Sequence, residues 1–370
     1  MQKALLSLTA AMSMLIALSG CQPKVEKPAE SNNTQKIEQD NPQLLSMEQP
    51  KQAVVTEPAI DAKTCLALSK SMQKVGDTSK IEAIYTIQKQ LKACLPTASN
   101  AEVLSLLENY QAMYRRFLTT NETIEDDNFY TVMQMADEGK KVPDALLKTL
   151  NPKLQHLIRL VEDDADVRVL YQGEGYYEFT HDLQAMADMF TPYLRQDQKA
   201  FIERLAMDNQ KIFWFDAGIA FSLQELIERA QFWEDYIARY PKGYATQDAK
   251  YLFEVYRHLL LFGSENTQWT DDSIHEFLEP EYRSLMLKLA RRPNSVLARD
   301  AQAFLDFIAL SDSQRQEKYP TPDFDENGDE MSEWTIASYQ KEKALPLESP
   351  WQVDTKNCFI SIVCVEKDAE

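Results

Sequence analysis

The chain has 370 residues, 44% of them hydrophobic, with 58 acidic against 39 basic side chains and a formal net charge of -19. That balance repels phosphate backbones and anionic lipid surfaces, which argues against nucleic acid as a partner. The apolar share suffices for one large domain or two ordinary ones, while nine glycines supply too little turn chemistry for an all-β fold.

At the start of the chain one basic residue, Lys3, precedes an apolar run from Ala4 to Leu18, too short and wrongly flanked for a bilayer span. The run ends in Leu18-Ser19-Gly20-Cys21, which resembles the lipobox of bacterial lipoproteins. The resemblance implies a signal peptide over 1–20, cleavage after Gly20, and acylation of Cys21. Three acyl chains would hold the protein on a lipid bilayer far more firmly than one chain can. Gln22 rather than Asp follows the cysteine, which implies the outer membrane of a Gram-negative bacterium, with the body facing the periplasm. Residues 21–58 are rich in Gln, Glu, Lys, Pro, Ser and Asn. They have too little apolar surface to order themselves and read as a tether with a span on the order of 30 Å.

Helical signals dominate the N-terminal region, 59–166. Leu66, Met72, Ile81, Ile84, Tyr85, Ile87, Gln88 and Leu91 predict a helical hairpin turning at Gly76-Asp77-Thr78, and apolar residues from Leu106 to Phe117 predict one buried helix face over 104–117. Ser-x-x-Glu sequences at Ser79/Glu82, Ser99/Glu102, Ser222/Glu225 and Ser273/Glu276 predict capping boxes, in which side chains satisfy the first orphaned amides of a helix. The acidic run Glu162, Asp163, Asp164 and Asp166 reads as a solvated loop. With Cys21 set aside, Cys65, Cys94, Cys358 and Cys364 remain, an even number in a compartment that permits disulfides. Three connectivities are open; proximity in sequence favours Cys65 with Cys94 and Cys358 with Cys364. The scattered histidines and the absence of Cys-x-x-Cys argue against zinc.

Residues 167–310 combine two patterns. Val167-Arg168-Val169-Leu170-Tyr171 and Tyr176-Tyr177-Glu178-Phe179, joined by Gln172-Gly173-Glu174-Gly175, predict a β-hairpin whose glycines permit positive φ. Tyr240-Pro241 and Arg292-Pro293 are each followed at the same distance by Asp-Ala, Asp248-Ala249 and Asp300-Ala301. Each unit reads as helix, proline-marked turn, helix: 223–240 then 246–262, and 280–292 then 296–310. The stretch from Phe232 through Pro241 to Leu252 resembles the helical hairpins of tetratricopeptide-type envelope lipoproteins, though the two units are spaced more widely than the roughly 34-residue period of that repeat. The expected fold is mainly α: stacked helical hairpins, solenoid-like or in a compact bundle, with one small β-hairpin. Residues 311–370 turn acidic and proline-bearing and are expected to be partly irregular. Their run from Cys358 to Cys364 cannot be one straight strand if its end cysteines are bonded, since about 20 Å would separate them.

Three constellations could carry chemistry. Glu178, His181 and Asp182 fall together after the hairpin, where a carboxylate could tune an imidazole, and Glu174 at the turn tip is a further acid that a glycosidase-type pair would need. Trp214, Trp233, Tyr236 and Tyr240 could line a groove for a peptide or glycan, or else be core. Asp323, Asp325, Asn327 and Asp329 match the first half of a calcium loop, but Trp334 stands where the bidentate glutamate belongs. A solvated acidic loop is the first reading of this stretch and calcium binding the second; no other cofactor is expected. The reading is a non-enzymatic binding or scaffold lipoprotein for envelope proteins or peptides. A carboxylate-dependent hydrolase, or a binder of cell-wall glycan or peptide, is the alternative.

Overall fold

Helices make up most of the described part of the chain, which in this computed structural model is residues 62–350 without 120–126, 164, 174, 323 and 325–329. The first pair, α1 (Ala62–Gln73) and α2 (Ile81–Cys94), is the predicted hairpin. The apolar spacing on α2 buries Ile81, Ile84, Ile87 and Leu91, and a Cys65–Cys94 disulfide, with Cα atoms 5.6 Å apart, ties its open end. α3 (Asn100–Leu118) starts at a complete Ser99/Glu102 capping box and buries the face from Val103 to Leu118. Its Arg116 guanidinium donates to the carbonyls of Met72 (2.8 Å) and Val75 (3.1 Å), satisfying the end of α1.

α4 (Asp127–Asp137), α5 (Asp144–Leu147) and α6 (Pro152–Glu162) lead into the hairpin of β1 (Val167–Gly173) and β2 (Tyr176–His181). The strands are antiparallel, with Val167 opposite His181 and Val169 opposite Phe179. All four of these side chains are buried, so the period-2 alternation sends one face inward. Gly173 (φ 97°) and Gly175 (φ 83°) both take the left-handed conformation expected at the turn. β2 packs on α3, and β1 packs on α4 and α6.

Next come α7 (Leu183–Phe190), capped by Asp182, α8 (Gln196–Asp208), and a two-residue ribbon, β3 (Trp214–Phe215) with β4 (Gly218–Ile219). The ribbon is absent from the predicted elements because two residues per strand leave no periodicity. The proline-marked echo is realised as α9 (Leu223–Arg239) with α10 (Thr246–Phe262), then α11 (Pro280–Ala290) with α12 (Val296–Ile308). The two pairs stack, α11 on α9 and α12 on both α9 and α10. Both echoed alanines, Ala249 and Ala301, are fully buried at close helix contacts. The echoed Asp300 pairs with Arg257 of α10 at 2.7 Å. Glu234 of α9 accepts hydrogen bonds from Ser295 Oγ and from the amides of Val296 and Leu297, so one hairpin caps the next.

Two expectations are corrected. Ser273/Glu276 starts no helix: the Asp271 carboxylate accepts the amides of His275 (2.8 Å) and Glu276 (2.7 Å) and organises a loop. Ser79 likewise takes the Gly76 amide in the turn, and α2 begins after Lys80 without a side-chain cap. Ser222 does cap α9, but Glu225 is drawn away to Lys211 and Arg229 and does not close the box. The acidic run is no plain solvated loop either, since Gln88 Nε2 donates to Asp166 and Glu162 accepts the Val142 amide. The acidic tail contains α13 (Asp312–Lys318) and α14 (Glu333–Ala344) with irregular stretches between and after them; α14 packs on α12. Buried side chains from Cys65 to Leu345 form one continuous core, crossing the boundaries at 166 and 310.

Candidate functional site

The C-terminal turn of α10, the loop 263–278, α14 and the segment 345–349 enclose an open cleft of about 1070 Å³. Local chemistry makes its loop wall firm. Gly263 ends α10 at φ 73°, where a Cβ would lie 2.2 Å from the Thr267 carbonyl oxygen, and the Ser264 amide closes onto that same carbonyl at 2.8 Å. The indole of Trp269 donates to the Leu259 carbonyl (2.8 Å), folding the loop back along α10. Beyond it Asp271 gathers the Ser273 hydroxyl and two amides, while the buried Arg315 of α13 donates to the carbonyls of Ser273 and Ile274.

At the base of the cleft lies Lys341, only 6% exposed. α14 has a single inward stripe, Ala337, Gln340, Lys341 and Leu345, and the lysine occupies a core position on it. Its ammonium sits 4.3 Å from the Phe304 ring centre and 5.1 Å from that of Phe262. No carboxylate pairs with it among the described residues, and burial alone pushes its pKa down to about 7. On the adjoining wall the His258 ring stacks on Phe262, with centres 4.8 Å apart. Burial, and secondarily the Lys341 charge, lowers the His258 pKa. Among the described residues His258 Nδ1 and Ser264 Oγ are buried without hydrogen-bond partners. The rim differs: Trp334 is 52% exposed, and Glu265, Glu342, Lys343 and Glu348 face solvent around it. A cleft of this size suits an elongated organic ligand, with one cationic group at its floor and an acidic edge.

The predicted site residues are distributed differently. Glu178 and His181 do not converge, because three residues along a strand place side chains on opposite faces: Glu178 is exposed and His181 is buried. The His181 ring lies flat on Tyr114, 3.5 Å between centres, with neither nitrogen partnered among the described residues. Burial drops its pKa to about 3, with Asp182 opposing only weakly. Asp182 accepts the Gln184 amide as a helix cap and also a Gln210 hydrogen bond. The proposed aromatic groove is core. Trp233 (0% exposed) and Tyr236 are buried against Phe201, and Tyr240 is half-buried beside Tyr236. Those rings close on one another because α8 and the 241–245 turn cover α9 from outside. Glu174, Cys21, Cys358, Cys364, Asp323, Asp325, Asn327, Asp329 and the Trp214 side chain lie outside the described residues. Among the described residues no group of three or more His, Cys, Asp or Glu side chains is arranged for a metal ion, and no helix is long and apolar enough to cross a membrane.

Sequence reasoning missed Lys341 and His258. The only signal was the histidine three residues after Val255 on a predicted buried helix; α14 itself has no apolar periodicity to announce its inward face. A second, smaller hollow of about 710 Å³ lies between the 77–82 turn and the start of α6. Its cation, Lys153, already donates to the carbonyls of Asp77 and Phe117. No family model, curated protein or solved structure matches this chain.

Proposed function

We propose that this protein is a lipid-anchored binding protein of the Gram-negative envelope, held at the outer membrane through Cys21, facing the periplasm, and acting on envelope proteins or peptides by holding them. The observation that carries the reading is the 1070 Å³ cleft between α10 and α14, whose walls are fixed by hydrogen bonds independent of any ligand. Preformed walls reduce the ordering cost of binding, which is what a holding protein requires. The lipobox and the 21–58 stretch supply the anchor and the reach. The alternative, a carboxylate-dependent hydrolase, has less support, because Glu178 and His181 lie on opposite faces of the hairpin.

A photo-activatable residue in place of Tyr339, introduced into the full chain in intact cells, tests the reading. A discrete adduct with one envelope protein or peptide is expected, weakened in the Cys21→Ala variant and absent when the probe replaces the exposed Tyr193, which does not line the cleft. Equal, diffuse labelling from both positions would refute it.

A further inference from the structure

Lys341 poses an energetic problem that the fold does not solve. An ammonium taken out of water without a counter-charge is strongly disfavoured. Here two aromatic faces, Phe304 and Phe262, offset only part of that loss. A leucine or methionine on the same stripe of α14 would fill the space without it. The side chain nevertheless lines the cleft, where two polar atoms of other cleft residues, His258 Nδ1 and Ser264 Oγ, are buried without partners among the described residues. Buried polar groups in native proteins are almost always paired, so two such atoms beside a buried lysine around one hollow point to a partner there.

The partner's charge follows from the floor and its form from the rim. The floor calls for an anion. The exposed Glu265, Glu342 and Glu348 at the edge outnumber Lys343 and disfavour a polyanion such as a phosphorylated ligand, so a single carboxylate fits best. Gln268, Thr270, Ser338 and Tyr339 intersperse hydrogen-bonding groups along the walls. Such walls suit a peptide backbone better than a uniform alkyl chain.

We infer that the cleft captures the C-terminal carboxylate of a peptide with a neutral or basic body, pairing it with Lys341 and running the chain out past Trp334 and the acidic rim. This assignment rests on the binding reading above and names the ligand class of that same site. Carboxylates accept strong charge-assisted hydrogen bonds from ammonium groups, and a basic body would be drawn to the rim rather than repelled.

The test uses the full mature chain in mild detergent and two tetrapeptide libraries of identical sequence content, one with free C termini and one amidated. Retention of free-acid peptides at least tenfold above the amides is expected, with Lys and Arg enriched among them. Lys341→Met is expected to raise the melting temperature and abolish the preference, and Lys341→Gln to abolish it as well. Equal retention of both libraries would overturn the inference. So would a Lys341→Met protein that melts lower than wild type, or dodecanoate displacing the peptides at equal concentration. If the Tyr339 probe still yields its discrete adduct in that event, only the carboxylate assignment fails and the binding reading stands.

Discussion

At the scale of single residues, burial sets the properties that matter. His181 is neutral in the folded state because its pKa lies near 3, while an unfolded histidine titrates near 6.5. Below pH 6.5 the unfolded chain therefore binds a proton that the folded chain refuses. This contribution to stability is complete above 6.5 and falls as pH drops towards 3, by on the order of 4 kcal/mol over the window. His181→Phe keeps the stack on Tyr114 without a titrating group. Urea midpoints measured from pH 7 to pH 4 should fall less steeply in this variant than in wild type. Arg229 is the opposite case, a buried cation with counter-charges: it lies 3.6 Å from Asp208, 2.7 Å from Glu225 and 4.1 Å from the centre of the Phe221 ring. Burial is the main influence on Asp208 and raises its pKa, so removing Arg229 leaves a buried carboxylate with Arg204, 3.0 Å away, as its remaining cation. Arg229→Met should cost about 3–5 kcal/mol by chemical denaturation.

At the scale of elements, stability is concentrated where one helix finishes another. Glu234 satisfies three donors at the start of α12, and its neighbour Asp235 pairs with Arg292 at the end of α11. Loss of a helix cap typically costs about 0.5–2 kcal/mol. Glu234→Ala should reach the upper end of that range, read as a lowered urea midpoint and faster amide exchange in 296–300. The Cys65–Cys94 bond spans 29 residues. Chain-entropy reasoning gives it about 3–4 kcal/mol. Cys65→Ala with Cys94→Ala should therefore melt markedly lower than wild type, with the loss centred on α1 and α2 in hydrogen exchange. These elements were largely readable in the sequence. Proline fixes its own φ and restrains the residue before it, so Pro241 and Pro293 bounded α9 to α12 closely; Gly173 and Gly175 did the same for β1 and β2. Ser273/Glu276 misled because a capping box is a local pattern, and Asp271, two residues upstream, competes for the same amides.

At the scale of the whole molecule, the continuous core from Cys65 to Leu345 joins regions that composition had separated. α14 closes the stack by packing on α12, and in doing so forms the cleft with α10 and its following loop. Calorimetry of the mature chain should show one cooperative transition for this body, with equal calorimetric and van't Hoff enthalpies. Two resolved transitions would mean that the stacked hairpins and the N-terminal helices fold independently.

The sequence by itself determined the helical class, the two hairpin pairs and the β-hairpin, and favoured the Cys65–Cys94 pairing among three, because each depends on neighbours within a few tens of residues: apolar spacing, proline and glycine geometry, short loop closure. Only the tertiary structure decided which aromatics are interior and which polar groups are stranded. Trp233 and Tyr236 became core because Phe201, from another helix, lies against them. Lys341 became the floor of a cleft because Phe262 and Phe304, about 80 and 40 residues away, surround it with no carboxylate paired to it among the described residues. Burial of a charge is a property of what packs around it from distant parts of the chain, and no local pattern encodes it.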